Sequence, residues 1–170
     1  METLILPGFS LKNKDWAEET KIKLSSYLPA TVIYWDHWTT GFTESNWIEK
    51  EVKKIADTIG NMQVNILAKS IGTAISLQVI KQKPNSVNKL ILCGIPTRDL
   101  NPGDQIYYVP LKSFPPDQVL CLQNENDNHG SYAEAEKFIH SLNPDLKVIS
   151  KPRSDHEYPY SDDFISFLKN

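Results

Sequence analysis

The sequence predicts an α/β protein: a three-layer, doubly wound parallel sheet of six strands with helices on both faces. Three observations carry this. Six short apolar runs recur along the 170 residues, each too short to be a helix of ordinary length. Helix-like segments separate most of them, which is the pattern of crossover connections. Several runs are continuous rather than alternating, as expected of strands covered on both faces. The length suits one domain with a sizeable core, so residues 1–170 are taken as a single domain.

The elements follow in chain order. Leu4-Ile5-Leu6 is a first strand, closed by Pro7-Gly8-Phe9-Ser10. Lys14 to Leu28 is helical, with Trp16, Ile22 and Leu24 among charges, and Pro29 ends it. Thr31 to Trp35 is a β-branched and aromatic strand. In Thr43 to Ile59, Trp47, Ile48, Val52, Ile55, Ala56 and Ile59 recur at helical steps, and Gly60 stops the helix. Asn61 to Lys81 combines an apolar strand, a sharp bend at Ser70 and a buried helix. Leu90 to Cys93 is the next strand. Ile95 to Pro116 carries five prolines, Pro96, Pro102, Pro110, Pro115 and Pro116. It is too proline-rich for a helix and reads as a loop over the strand ends, either a lid or a plain connection. Val119 to Leu122 is a strand, followed by a polar loop and a helix from Tyr132 to Leu142. Lys147 to Ser150 and a helix from Ser161 to Leu168 close the chain.

Hydrophobic content of 40% and charged content of 23% are ordinary for a folded domain, so disorder is not indicated. Net charge is −3, from 18 basic and 21 acidic residues with no long run of either sign. That argues against a nucleic-acid partner and against a basic membrane-surface helix. No apolar stretch reaches membrane-spanning length, and METLILPGF is a poor signal peptide, so a cytoplasmic location is expected. Cys93 and Cys121 lie inside apolar runs and read as buried free thiols in a reducing compartment. A disulfide between two strand interiors of a parallel sheet would be awkward.

In a parallel sheet the ligand site lies on loops at the C-terminal strand ends, and four such loops carry chemistry here. Ala68-Lys69-Ser70-Ile71-Gly72 places a serine between two tiny residues where a strand turns into a helix. That leaves the hydroxyl at the tip of a tight bend, with the Ile71 N–H at the helix start; the plainer alternative is Ser70 as an N-cap. Lys69 is either a charge at the pocket mouth or a surface lysine. In Pro7-Gly8-Phe9 the Phe9 N–H can face the same space as a second oxyanion donor, although a Pro-Gly turn has the same signature. Gln123 to His129 supplies an acid: Asp127 is the choice and Glu125 its competitor, against an Asx-turn or N-cap role for Asp127. His156 follows the last strand. Of the other histidines, His37 could line the pocket, His129 belongs to the acid loop, and His140 sits in a surface helix. Together Ser70, Asp127 and His156 form a nucleophile, acid and base in chain order, each at a strand's C-terminal end.

With LILPGFS at the start, ILAKSIGTAIS at the bend, NEND before His129 and DHEYPYSDDFISFL at the end, nearly the whole chain resembles the α/β-hydrolase superfamily. It is most similar to the small, cap-poor serine hydrolases related to retinoblastoma-binding protein 9. The resemblance implies the strand order 2-1-3-4-5-6, with Ser70, Asp127 and His156 as catalytic residues and Phe9 and Ile71 as backbone donors. Ala68 departs from the first glycine of the usual G-x-S-x-G, a sterically mild change. The expected activity is hydrolysis of a small carboxylic ester, thioester or amide through an acyl-enzyme on Ser70. The expected partner is a small acyl substrate. Trp35, Trp38 and Phe42 could form an apolar acyl wall, though core packing explains Trp35 better. No metal or cofactor is expected, since the histidines and carboxylates lack zinc-type spacing. The rival is a binding or interaction protein on the same scaffold with negligible turnover.

Overall fold

The computed structural model describes residues 1–170. Strands β1 (Glu2–Leu6), β2 (Ala30–Val32), β3 (Val64–Lys69), β4 (Val87–Cys93), β5 (Val119–Asn124) and β6 (Val148–Lys151) form one sheet in the order β2-β1-β3-β4-β5-β6. Every pairing is parallel. All six residues of the central strand β3 are buried, which is why its sequence does not alternate.

The two faces are covered by different helices. Helices α3 (Trp47–Ile59), α4 (Ile71–Gln82) and α5 (Tyr132–Leu142) pack on one face, where Ile55, Ile75 and Ile139 meet Leu6, Ile66, Ala68 and Leu92 of the sheet. Helices α1 (Asn13–Ser25) and α6 (Ser161–Lys169) cover the other through Trp16, Leu24 and Phe164 against Ile5, Leu67 and Ile91. Complete burial of each such aliphatic or aromatic side chain stabilises the fold by about 1.5–3 kcal/mol before conformational entropy is set against it. Cys93 and Cys121 are buried free thiols, and burial pushes the Cys121 thiol up to about 12.

Several elements differ from the sequence expectation: α1 ends at Ser25 rather than Leu28 and β4 begins at Val87 rather than Leu90, and three differences bear on the site and its surroundings. The second strand ends at Val32 rather than Trp35. Ile33 still donates to the Ile5 carbonyl at 2.9 Å, but the chain then leaves the sheet, and a short helix α2 (His37–Thr40) follows. Helix α3 starts at Trp47, not Thr43, since Thr, Ser and Asn side chains before it favour turns over helix interior. The proline-rich segment is not all loop. A 3-10 helix spans Asp104–Lys112 and a second one Pro116–Gln118. The first is held by buried Tyr108 and Leu111, and Gln78 of α4 donates to the Tyr107 carbonyl at 2.8 Å. Prolines at 102, 115 and 116 lie at or beyond the ends, and Pro110 costs only one donor in so short a helix.

Parallel pairing brings Leu6 opposite Ala68 and Lys69 opposite Cys93. The loops leaving β1, β3, β4, β5 and β6 therefore open on one edge of the sheet.

Candidate active site

Ser70 follows β3 and has φ 56° and ψ −125°, the one non-glycine residue with positive φ in the chain. An L-residue reaches that conformation only under strain. The serine stands at the N-cap position of α4, yet its hydroxyl caps nothing. The bend is tight because α4 starts against the end of β1: a methyl group on Gly72 would come within 2.4 Å of the Leu6 carbonyl oxygen. The Ile71 N–H lies at the first helical position, where no intrahelical carbonyl reaches it.

The loop after β1 is held from the side by ring N–H groups. Trp35 Nε1 donates to the Gly8 carbonyl at 3.0 Å, Trp38 Nε1 to the Phe9 carbonyl at 2.7 Å, and His37 Nε2 to the same carbonyl at 2.8 Å. A trans peptide points its N–H opposite its carbonyl, so fixing the Gly8 carbonyl also fixes the Phe9 N–H. That N–H makes no hydrogen bond within the chain. The Phe9 ring stacks on His37 at 4.4 Å. Buried Glu51 of α3 anchors this clamp by accepting from the Asp36 N–H at 2.7 Å.

On the other side of Ser70 stands an acid–imidazole pair. Asp127 is fully buried, and its Oδ2 lies 2.7 Å from His156 Nδ1. Oδ2 also accepts from the Tyr158 hydroxyl at 2.6 Å, and Oδ1 from the His129 N–H at 2.8 Å. Burial pushes this carboxyl up, but the bonds from His156 and Tyr158, the His156 charge and the His129 amide outweigh it and hold it below the usual carboxylate value. The Tyr158 phenol is pushed up by burial and by Asp127, so it stays protonated and donates. Glu125, by contrast, is exposed. The cap of α5 is Ser131, which forms a capping box with Glu134. Asp127 therefore has the Asx-turn contact to residue 129 but neither the solvation nor the capping role.

Facing a carboxylate, His156 Nδ1 carries a proton, which leaves Nε2 as the acceptor of the neutral ring. Nε2 is buried and bonds to no protein group, Ser70 Oγ included. Position along the edge is set by Gly94. Ser70 N–H donates to the Cys93 carbonyl at 3.0 Å, and a Cβ on the next residue, Gly94, would lie 3.0 Å from His156 Cε1 and 2.6 Å from Tyr158 Cε2. His156 thus sits against the residue that follows Cys93, the hydrogen-bond partner of the Ser70 N–H. Buried Asn124 brackets the imidazole by donating to the carbonyls of Asp155 and Glu157, both at 2.8 Å.

Several surrounding residues escape sequence reasoning. Lys69 is neither at the mouth nor on the surface: its side chain is 2% exposed and points to the α1 face. Its ammonium donates to Asn13 Oδ1 at 2.8 Å, pairs with Glu157 at 3.3 Å and lies 5.3 Å from the Trp16 ring centroid. His129 tilts against His156 with ring centroids 4.3 Å apart and holds Asp99 of the proline-rich segment at 2.6 Å. His37 joins the β1 loop clamp. His140 bonds to the Leu146 carbonyl and stays in its surface helix.

No family model matches the chain, and no curated protein does either. Solved structures match it over 99% of its length. The α/β-hydrolase domain-containing protein 10 from mouse aligns at TM-score 0.70 and 15% identity over 88% of its own chain. A serine hydrolase without lid from Xanthomonas campestris aligns at 0.64 and 15% identity over 78% of its chain. An N-formylmaleamic acid deformylase from Pseudomonas putida aligns at 0.68 and 12% identity over 91% of its chain. The chain has the α/β-hydrolase fold. In this fold's frame, Ser70 follows the third of the six strands, Asp127 the fifth and His156 the sixth, and all three share the edge where the β1 loop presents Phe9.

Proposed function

We propose that the protein is a serine hydrolase that cleaves a small carboxylic ester, thioester or amide. The observation that carries this is the buried Asp127–His156 pair, whose Nε2 is uncommitted, on the strand edge where Ser70 is held in a strained bend. His156 Nε2 takes the Ser70 proton as Oγ attacks the substrate carbonyl. The resulting oxyanion is stabilised by the Phe9 and Ile71 N–H groups. Collapse expels the alcohol, thiol or amine, which takes the proton from His156 and leaves an acyl-serine. Water, deprotonated by the same imidazole, then releases the carboxylic acid and restores the hydroxyl. Asp127 orients the ring and stabilises the imidazolium, and it remains ionised throughout. The hydrolase descriptions of the similarly folded proteins support this reading, as does the likeness to the small, cap-poor branch seen in the sequence.

The test is labelling with a fluorophosphonate probe together with p-nitrophenyl ester turnover. Both should vanish in Ser70→Ala and in His156→Ala while the thermal transition of each variant is kept. Absence of labelling in the folded wild-type protein would instead assign the scaffold to binding.

A further inference from the structure

The largest cleft in the molecule, about 1020 Å3, is at the wrong end of the sheet for this chemistry. It lies where β3, β4 and β5 begin and α4 ends, between Gln63, Val87, Gln118 and the C-terminal turn of α4. Its size is that of a small-molecule site. Buried Ile80, Val87 and Phe114 make an apolar floor. Ile106 and Val109 of the first 3-10 helix stand over it, 65% and 43% exposed, an unusual outlay of apolar surface on one short element.

Gln63, Asn85, Asn88, Ser113 and Gln118 surround that floor, so the lining is mixed in polarity, but its charge is of one sign. Lys81 and Lys112 line the cleft, neither forms an ion pair, and no carboxylate is among the lining residues. The chain as a whole carries net charge −3. An apolar floor flanked by two exposed ammonium groups that form no ion pair, in an acidic protein, favours a ligand that is apolar along its body and anionic at one end. Cationic amphiphiles are repelled, and neutral ones forgo the charge contact.

We propose that this cleft is a second binding site, for an aliphatic carboxylate, with the chain along Ile80, Ile106, Val109 and Phe114 and the carboxylate at Lys81 and Lys112. The site does not depend on any chemistry at Ser70, so it is tested on the Ser70→Ala protein, which removes turnover. Octanoate is titrated while backbone amide shifts are followed by NMR, with 1-octanol and octyltrimethylammonium as charge controls. Saturable shifts confined to residue 63, residues 80–88 and residues 106–118 are expected. Affinity for 1-octanol should be about tenfold weaker, binding of the cation should be absent, and octanoate should weaken as salt is raised. The double variant Lys81→Glu/Lys112→Glu should lose at least tenfold in octanoate affinity; Lys81→Gln/Lys112→Gln serves if the reversal disturbs the fold. Shifts clustered elsewhere, no saturation, equal affinity for octanol, or octanoate binding unchanged in the lysine variants would each overturn the proposal. So would a dimer, seen by sedimentation, that covers this face and that octanoate fails to dissociate.

Discussion

Position 70 permits a measurement that separates backbone strain from chemistry. At φ 56° and ψ −125° a side chain is disfavoured, by about 1–3 kcal/mol. Glycine pays no such penalty, but the unfolded chain gains about 0.5–1 kcal/mol of backbone entropy when glycine replaces alanine. Burying a methyl group fully is worth about 0.8 kcal/mol, and residue 70 is only half-buried, so the lost Cβ removes a fraction of that. The balance favours glycine by about 1 kcal/mol. Ser70→Gly should therefore be more stable than Ser70→Ala, the reverse of the order at an ordinary helix or strand position. Both variants lack the hydroxyl, so neither turnover nor its loss enters the comparison. Urea unfolding at neutral pH reads the difference directly, and a thermal scan should show a shift of about 2–4 °C. If Ser70→Ala proves equal to or more stable than Ser70→Gly, the bend is not strained and the reasoning from φ fails.

Other perturbations have equally definite outcomes. Gly94→Ala puts a methyl 2.6 Å from the Tyr158 ring at a position with φ 65°; it should cost about 1–3 kcal/mol by urea unfolding and abolish ester turnover, and wild-type activity would contradict the placement of His156. Asp127→Asn should lower kcat by on the order of 10³–10⁴-fold while exposed Glu125→Gln leaves it unchanged; equal effects would mean the acid is elsewhere. Because the folded Asp127 carboxyl is held below its unfolded value of about 3.9, its ionised form contributes stability above that pH and loses it as pH falls through the folded value. The stability gap between wild type and Asp127→Asn should accordingly shrink in acid, and a gap that widens below pH 4 would reverse the sign. Lys69→Met should reduce turnover by about ten- to a hundredfold through loosening of its contacts to Asn13 at the start of α1 and to the Glu157 loop, with a far smaller change in unfolding midpoint; a purely structural lysine would show the opposite split.

What could be read from the sequence was what short-range pattern encodes. Continuous apolar runs gave the strands, and the tiny residues around Ser70 marked the bend, because both signals lie within a few residues. The proline-rich segment misled for the same reason. Its helix is stabilised by Tyr108 and Leu111 packing on α4, a contact that local composition does not report. Lys69 was illegible because a strand-end lysine is ordinarily exposed, and the partners that permit its burial lie 56 and 88 residues away. Tyr158 and Asn124, which fix the acid and bracket the imidazole, both looked like loop residues. A tyrosine two positions after a candidate base and an amide just past an apolar strand were the available hints. Trp35-Asp36-His37-Trp38 was visible as an aromatic run, but its three ring N–H donors take on meaning only once they meet the Gly8 and Phe9 carbonyls.

That aromatic run hangs from β2, three residues long and bonded to one neighbour at the margin of the sheet. Margins fray before centres do; Ser70 and Asp127 leave strands nearer the middle, and His156, although it follows the opposite edge strand β6, is tied to Asp127 and bracketed by Asn124. Warming should hence silence the molecule in two stages. The Phe9 peptide, the proposed oxyanion donor, should drift out of line first, and the bulk of the fold should dissolve only later.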